Sequence, residues 1–183
     1  MNSKKSLPIL FIGLLGLLSG CLTVEKKQYT FELKDNNSGT LTIKFINIMS
    51  MKDDTLDVSE GDFDELIGTY IEGDELEKDY EKALVRSKRL FIEDGILCGE
   101  VIIDFENLAD VGLYQYDNKG PYMFNVGNFL DSESFYQSNG EFGGEIMPVV
   151  FWDKSEKTLE LTTHITDPDE STVSLAKSYE NWR

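Results

Sequence analysis

The sequence predicts an α+β domain: an antiparallel β-sheet of hairpins and a meander, with a helix pair on one face and a C-terminal helix. Three observations carry this prediction. Apolar and polar residues alternate in several short runs, which is typical of strands with one buried face. Turn-forming residues join consecutive runs, so neighbouring runs are expected to pair antiparallel. Two other stretches place apolar residues at helical spacing.

Residues 1–20 have the features of a secretory leader. Lys4 and Lys5 give a positive start, and residues 7–18 (LPILFIGLLGLL) are almost wholly apolar. That run is about 12 residues long, whereas a helix needs about 20 to cross hydrocarbon. A signal peptide is therefore favoured over a permanent membrane span.

The motif Leu18-Ser19-Gly20-Cys21 ends the apolar run. It resembles the lipobox of bacterial lipoproteins. The resemblance implies a diacylglycerol thioether on the Cys21 sulfur, cleavage before Cys21, and acylation of the new amine by a fatty acid such as palmitate. Two or three acyl chains hold a protein firmly on a membrane, whereas one holds it only marginally. The alternative is an ordinary signal peptide followed by a chance cysteine.

The chain is expected to divide into three parts. These are a signal peptide (residues 1–20), a lipidated tether (21–28) and a single α+β domain (29–183). Removing the leader from the 183 residues leaves 163, a length that suits one domain with its own hydrophobic core. Leu22 is compatible with sorting to the outer membrane in a double-membrane bacterium, with the body in the periplasm or on the cell surface.

The sequence is strongly acidic. The net charge is −17, and removal of the leader with its two lysines takes it to −19. Nucleic acid is disfavoured as a partner, because binding it needs clustered Lys and Arg. Adhesion to anionic lipid by charge alone is disfavoured for the same reason. The acids are expected to keep the protein soluble and apart from its neighbours; a docking face for a basic partner or for divalent cations is the alternative.

The first elements are a hairpin and two helices. Residues 29–33 and 41–45 alternate around the turn-forming stretch 35–39. The segment 53–82 then holds 13 acids against two lysines. The first helix is expected to begin at Asp62, with an apolar side of Phe63, Leu66, Ile67, Tyr70 and Ile71. The second is expected to bury Leu76, Tyr80, Ala83 and Leu84.

A strand meander and a closing helix are expected after that. The dipeptide Asp94-Gly95 predicts a tight hairpin turn. The remaining expected elements are strands over 113–116 and 122–126, an irregular stretch over 127–145, a last hairpin pairing 146–152 with 158–165, and a helix that begins at Asp167-Pro168.

The irregular stretch holds the candidate binding face. Long loops in compact domains are often functional, and aromatic side chains are enriched at interfaces. The candidate residues are Phe129, Phe135, Tyr136 and Phe142. Ordinary packing beneath a long loop is the alternative.

The sequence offers few groups for catalysis. His164 is the only histidine, so nucleophilic triads and zinc sites are disfavoured. Cys98 has no disulfide partner if Cys21 is lipidated, and a buried role as a small hydrophobic residue is expected. Two acidic loops are weak calcium candidates without the EF-hand spacing: Asp53, Asp54, Asp57 and Glu60, and Asp131, Glu133 and Glu141. No cofactor is predicted.

The sequence therefore predicts an envelope lipoprotein held to the membrane through Cys21. Its domain is expected to be a non-enzymatic binding or interaction module for a protein partner or an envelope lipid. The alternative is a carboxylate-based hydrolase or a carbohydrate-binding module that uses the aromatic loop 127–145.

Overall fold

The computed structural model describes residues 21–34, 37–127 and 133–183, and its strands form two antiparallel sheets. The predicted leader, residues 1–20, lies outside the described residues. Antiparallel strand is the main secondary structure of the described residues and helices are fewer, so the broad α+β class is confirmed.

The first hairpin is confirmed and is longer than predicted. It joins β1 (Leu22–Leu33) to β2 (Gly39–Met51). Inward-facing apolar residues follow the alternation expected from the sequence until Asn47, which has a φ of 57°. The amide of Asn47 donates a hydrogen bond of 3.0 Å to Glu25 on the neighbouring strand. Beyond this kink the residues that join the hydrophobic core are Leu22, Val24 and Ile48, one position out of phase with those before it, while the pairing register of the hairpin is unchanged.

The larger sheet is built around this hairpin. A second hairpin beside β2 turns at Asp94 and Gly95, both with positive φ, as the sequence predicts. The strands in spatial order are β3 (Leu84–Glu93), β4 (Ile96–Phe105), β2, β1, β10 (Thr158–His164) and β7 (Ser134–Ser138), and β11 (Thr172–Ser174) pairs with the end of β2.

The smaller sheet packs over the larger one. Its strands in spatial order are β5 (Leu113–Gln115), β6 (Tyr122–Asn125), β9 (Val149–Trp152) and β8 (Glu141–Phe142). The ring of Phe124 on β6 lies 5.5 Å from that of Tyr29 and 5.6 Å from that of Phe31, both on β1. The two sheets thus share one hydrophobic core, in which Phe31 and Leu159 have no exposed surface.

The helices are short. They are α1 (Ser59–Glu65), which continues as a π-helical turn (Leu66–Ile71), α2 (Glu75–Asp79) and α3 (Ala176–Trp182), with 3₁₀ turns at Leu108–Val111 and Tyr116–Asn118. The apolar side predicted for the first helix is buried, except that Ile71 is half-buried. The second helix ends earlier than predicted, because Leu84 already belongs to β3 and is 64% exposed.

The predicted last hairpin is wrong. Its two strands exist, but β9 pairs with β6 and β8 in the smaller sheet, while β10 pairs with β1 and β7 in the larger one. Residues 153–157 carry the chain from one sheet to the other. Alternation predicts which residues of a strand face inward, but the partner strand is set by packing far along the chain.

The predicted start of the closing helix is also wrong. The carboxylate of Asp169 accepts hydrogen bonds from the backbone and side chain of Ser171, at 2.8 and 2.6 Å. This turn leads into β11, so the helix begins only at Ala176. Asp is as well suited to such turns as to helix capping, and pairing with β2 selects the turn here.

Candidate functional site

Cys21 lies directly at the edge of the folded domain. Its carbonyl accepts a hydrogen bond of 2.5 Å from the backbone N–H of Met51, and β1 starts at the next residue. Partial burial raises the pKa of the Cys21 thiol, and the negative charges of Asp62 and Asp53 add to the effect. A raised pKa means less thiolate near neutral pH, so this thiol is not activated as a nucleophile in the folded domain.

The segment expected to be a tether, residues 21–28, is part of the domain. Leu22 is 3% exposed and Val24 is 5% exposed, and both belong to the hydrophobic core. The sequence reading placed them outside because the clear alternation starts only at Tyr29, whereas the kink at Asn47 shifts the buried positions in the first half of β1.

The candidate aromatic residues that the structure describes do not form one exposed face. Phe129 lies outside the described residues. Phe135 and Phe142 stack on each other with ring centroids 4.1 Å apart, and both are half-buried between the two sheets. Tyr136 is 53% exposed and points to the opposite face of β7, where the ammonium of Lys26 lies 4.7 Å from its ring centre. The stretch predicted to be irregular in fact contains two strands, β7 and β8.

A polar cluster surrounds the carboxylate of Glu133, which accepts three side-chain hydrogen bonds in the described part of the interior. One carboxylate oxygen accepts hydrogen bonds from the Tyr29 hydroxyl at 2.9 Å and the Thr163 hydroxyl at 2.5 Å. The other accepts a hydrogen bond of 3.2 Å from the ammonium of Lys27. The side chains of Lys27 and Glu133 are each only 13% exposed.

This arrangement is typical of a structural clamp rather than a catalytic acid. Both carboxylate oxygens of Glu133 already have donors, and the hydroxyl of Thr163 also lies 3.4 Å from the carbonyl of Lys27. Glu133 directly precedes β7, while its partners lie on β1 and β10. The cluster thus fixes the start of an edge strand to the middle of the sheet.

Sequence reasoning missed this cluster because the partners of Glu133 lie 30 to 106 residues away from it along the chain. One signal was present. Lys27 has the same strand parity as Tyr29 and Phe31, so a charged residue occupies an inward-facing position. Such a lysine needs a buried partner, but nothing in the sequence identifies that partner as Glu133.

The acidic loops and the histidine are mostly engaged in local contacts. Asp57 accepts a hydrogen bond of 3.0 Å from the backbone N–H of Ser59. The ring of His164 lies 3.0 Å from a carboxylate oxygen of Asp167. In residues 21–34, 37–127 and 133–183, no three His, Cys, Asp or Glu side chains are placed to hold a metal ion together. Asp131, a member of one calcium candidate loop, lies outside the described residues.

A groove of about 350 Å³ lies at the end of β2 that is farthest from Cys21. Lys34 and Lys82 line it together with Asp104 and Glu106. These charges balance, so the groove favours neither anions nor cations.

The outer face of the smaller sheet carries a row of apolar side chains. Tyr114, Met123 and Phe151 lie side by side on β5, β6 and β9 in the strand register. Tyr114 is 56% exposed, and the other two are half-buried. Tyr116 and Met147 add further exposed apolar surface on the same sheet's turns and loops. We call Tyr114, Met123 and Phe151 the outer row.

The buried tyrosines predict a loss of stability at alkaline pH. Burial raises the pKa of Tyr29 and of Tyr80, and the charge of Glu133 adds to the effect at Tyr29. An unfolded chain ionises its tyrosines near pH 10, before the folded protein does. The contribution of the two tyrosines to stability is therefore fully present below about pH 10 and is lost as the pH rises towards their folded pKa values.

Urea unfolding midpoints measured between about pH 8 and 11 check this expectation. Burial also raises the pKa of Cys98, so a part of the loss begins below the tyrosine range. The variant Tyr80→Phe should lose stability less steeply with pH than the wild type. Equal slopes for the two proteins would contradict the assignment.

Comparisons with protein-family models, with curated proteins and with solved structures find no match to this chain. A function for this protein is therefore inferred from the geometry of the domain and from the sequence motifs.

Proposed function

We propose that this protein is an envelope lipoprotein anchored to the membrane through lipid on Cys21, with a non-enzymatic binding domain. The observation that carries the proposal is the lipobox-like motif Leu18-Ser19-Gly20-Cys21 after a positively charged, apolar leader. No helix in the described ranges is long and apolar enough to cross a membrane. In a double-membrane bacterium the outer membrane is the expected location, with the body in the periplasm or on the cell surface.

The outer row supports a binding role for the part of the domain that lies away from Cys21. Phe124 packs on Tyr29 and Phe31, so the smaller sheet covers the half of β1 that is distant from Cys21. Exposed Tyr, Met and Phe side chains are typical of protein interfaces. Of the aromatic residues proposed from the sequence, Tyr136 remains accessible but lies on another face.

The helical segments contact the larger sheet at two places. Asp62 on α1 accepts a hydrogen bond of 2.5 Å from Ser50, near the end of β2. Lys88 on β3 donates to the carbonyl of Gly73, between the helical segments, at 2.6 Å. These contacts support a helix pair that covers one face of the larger sheet, with the first helix near the end of β2 that lies beside Cys21.

A carbohydrate-binding module is the second candidate function. It is favoured by the exposed rings of Tyr114 on β5 and of Tyr116 in the turn that follows, which are 56% and 63% exposed. Such rings can stack on the apolar faces of sugars. A hydrolase is less well supported, because Glu133, the carboxylate with the most hydrogen-bond donors among those described, has both oxygens occupied.

The anchor is tested by replacing each cysteine in turn. Cys21→Ser should move the protein from the membrane fraction to the soluble fraction, because the acyl chains supply the membrane affinity. Cys98→Ser is the matched control: this residue has no exposed surface, so the variant should remain in the membrane. Mass spectrometry of the N-terminal peptide should show the added lipid in the wild type and in Cys98→Ser, but not in Cys21→Ser. An unmodified Cys21 in the wild type would refute the proposal.

The binding role is tested in the same cells with a photoreactive amino acid at position 114 or 136. A discrete adduct at position 114 that is lost in the Cys21→Ser background would identify a membrane partner of the outer row. The same adducts at both positions would contradict the outer row as the binding face. Adducts to glycan rather than to protein would favour the second candidate function.

A further inference from the structure

We infer that the end of the domain around Cys21 rests directly on the membrane surface, so that the domain is held in one orientation. This inference rests on the proposed lipidation of Cys21. The membrane-facing surface is the group Met51, Leu56 and the loop between them, and its occupant is the phospholipid bilayer that holds the acyl chains.

The absence of a linker carries the inference. A lipid anchor followed by a flexible stretch lets a domain move away from the bilayer by the length of that stretch. Here the residue after Cys21 is the first residue of β1 and is 3% exposed. The carbonyl of Cys21 is itself hydrogen-bonded to Met51. Acyl chains on Cys21 therefore bring the surrounding residues to the bilayer surface.

The surface around Cys21 suits this position. Met51, which pairs with Cys21, is 39% exposed, and Leu56, which forms a bridge with Asp53, is 65% exposed. These are two of the large apolar side chains that the described part of the chain leaves exposed. The neighbouring acids Asp53, Asp54 and Asp57 oppose deep insertion, because burying a carboxylate in hydrocarbon is costly. The contact is thus expected at the headgroup level.

The opposite end of the sheet provides a matched reference. Leu84 pairs with Asp104, which pairs with Thr40, which pairs with Glu32 near the end of β1. Because β1 has 12 residues, this level lies roughly 35 Å from Cys21 along the strand. Leu84 is 64% exposed, almost the same as Leu56. The two leucines therefore differ in their distance from the anchor and hardly in their exposure.

The test places an environment-sensitive fluorophore, NBD, at either position in the acylated full-length protein. Leu56→Cys and Leu84→Cys supply the labelling sites, since Cys21 is blocked by lipid and Cys98 has no exposed surface. Each protein is reconstituted into phosphatidylcholine vesicles that contain a lipid with a spin label near the headgroup. The spin label quenches only fluorophores that lie at the membrane surface.

At position 56 the emission should shift to the blue and lose most of its intensity to the quencher, whereas at position 84 it should stay as in water. Equal, unquenched emission at both positions in acylated protein would overturn the inference and leave the lipoprotein proposal standing. Equal quenching at both would also overturn it, because the domain would then lie flat. A mass spectrum showing no lipid on Cys21 would overturn both proposals together.

Discussion

Replacing Lys27 with methionine is expected to lower the free energy of unfolding by about 3 kcal/mol, the range found when one partner of a buried ion pair is removed. The ammonium of Lys27 lies 3.2 Å from Glu133, and both side chains are 13% exposed. Methionine keeps most of the apolar volume, so the change removes the charge and little packing. The carboxylate of Glu133 then remains buried with two hydroxyl donors but no positive charge.

Urea unfolding of the soluble Cys21→Ser form measures this loss. The matched control is Lys78→Met, because Lys78 makes two ion pairs on the surface and its side chain is 60% exposed. Solvent screens such pairs, so the control should unfold close to the parent. Equal losses for the two variants would show that the ion pair of Lys27 is no stronger than a surface pair.

A second variant separates the ion pair from its surroundings. Glu133→Gln removes the negative charge but keeps a side chain that can bond to Tyr29 and Thr163. In the double variant Lys27→Met with Glu133→Gln, no buried charge is left without its partner. The two losses should therefore not add, and the difference measures the coupling between the side chains. Amide exchange at residues 134–138 should speed up in both single variants, since Glu133 fixes the start of β7.

Local patterns predicted the elements that depend on neighbouring residues. The dipeptide Asp94-Gly95 predicted its hairpin because both residues tolerate positive φ, which the structure shows. The alternation in 29–33 and 41–45 predicted the inward faces of the first hairpin because successive side chains of a strand point to opposite faces of the sheet. These features are fixed by steric limits within a few residues.

Elements that depend on distant contacts were not predictable in the same way. β9 and β10 are separated by five residues, and an antiparallel hairpin is the usual outcome of such spacing. Instead β9 packs Val150 and Trp152, which are almost fully buried, into the core beneath the smaller sheet. The choice depends on β6, more than twenty residues earlier, which no local pattern reports.

The candidate site was predictable only in part. The motif before Cys21 is local and can be read from the sequence alone, whereas the clamp at Glu133 joins residues that are far apart in the sequence and was missed. The aromatic residues were found as a group, but adjacent strand residues point to opposite faces. Because 134–138 form a strand, Phe135 and Tyr136 point to opposite faces of the sheet.

Replacing Val24 with aspartate is expected to unfold the domain or to cost about 4 kcal/mol, because the change buries a carboxylate without a partner. Val24 is 5% exposed and pairs with Ile48 in the core. Small domains are stable by only about 5 to 15 kcal/mol, so a loss of this size leaves little margin. In a flexible tether the same substitution would have almost no effect, since the side chain would stay in water.

The matched control is Gln28→Asp, in the same stretch of β1. Gln28 is half-buried on the solvent-facing side and lies opposite Lys44 on β2, so an added carboxylate there gains a favourable neighbour. Urea unfolding and the near-ultraviolet circular dichroism of both variants in the soluble Cys21→Ser form distinguish the two readings of residues 21–28. If Val24→Asp unfolds like Gln28→Asp, the first half of β1 does not belong to the stable domain. Residues after Cys21 could then act as a linker, and the inference that the domain rests directly on the membrane surface would lose its support. A selective loss in Val24→Asp means that the core begins one residue after the anchor, so that the lipid and the fold cannot move independently.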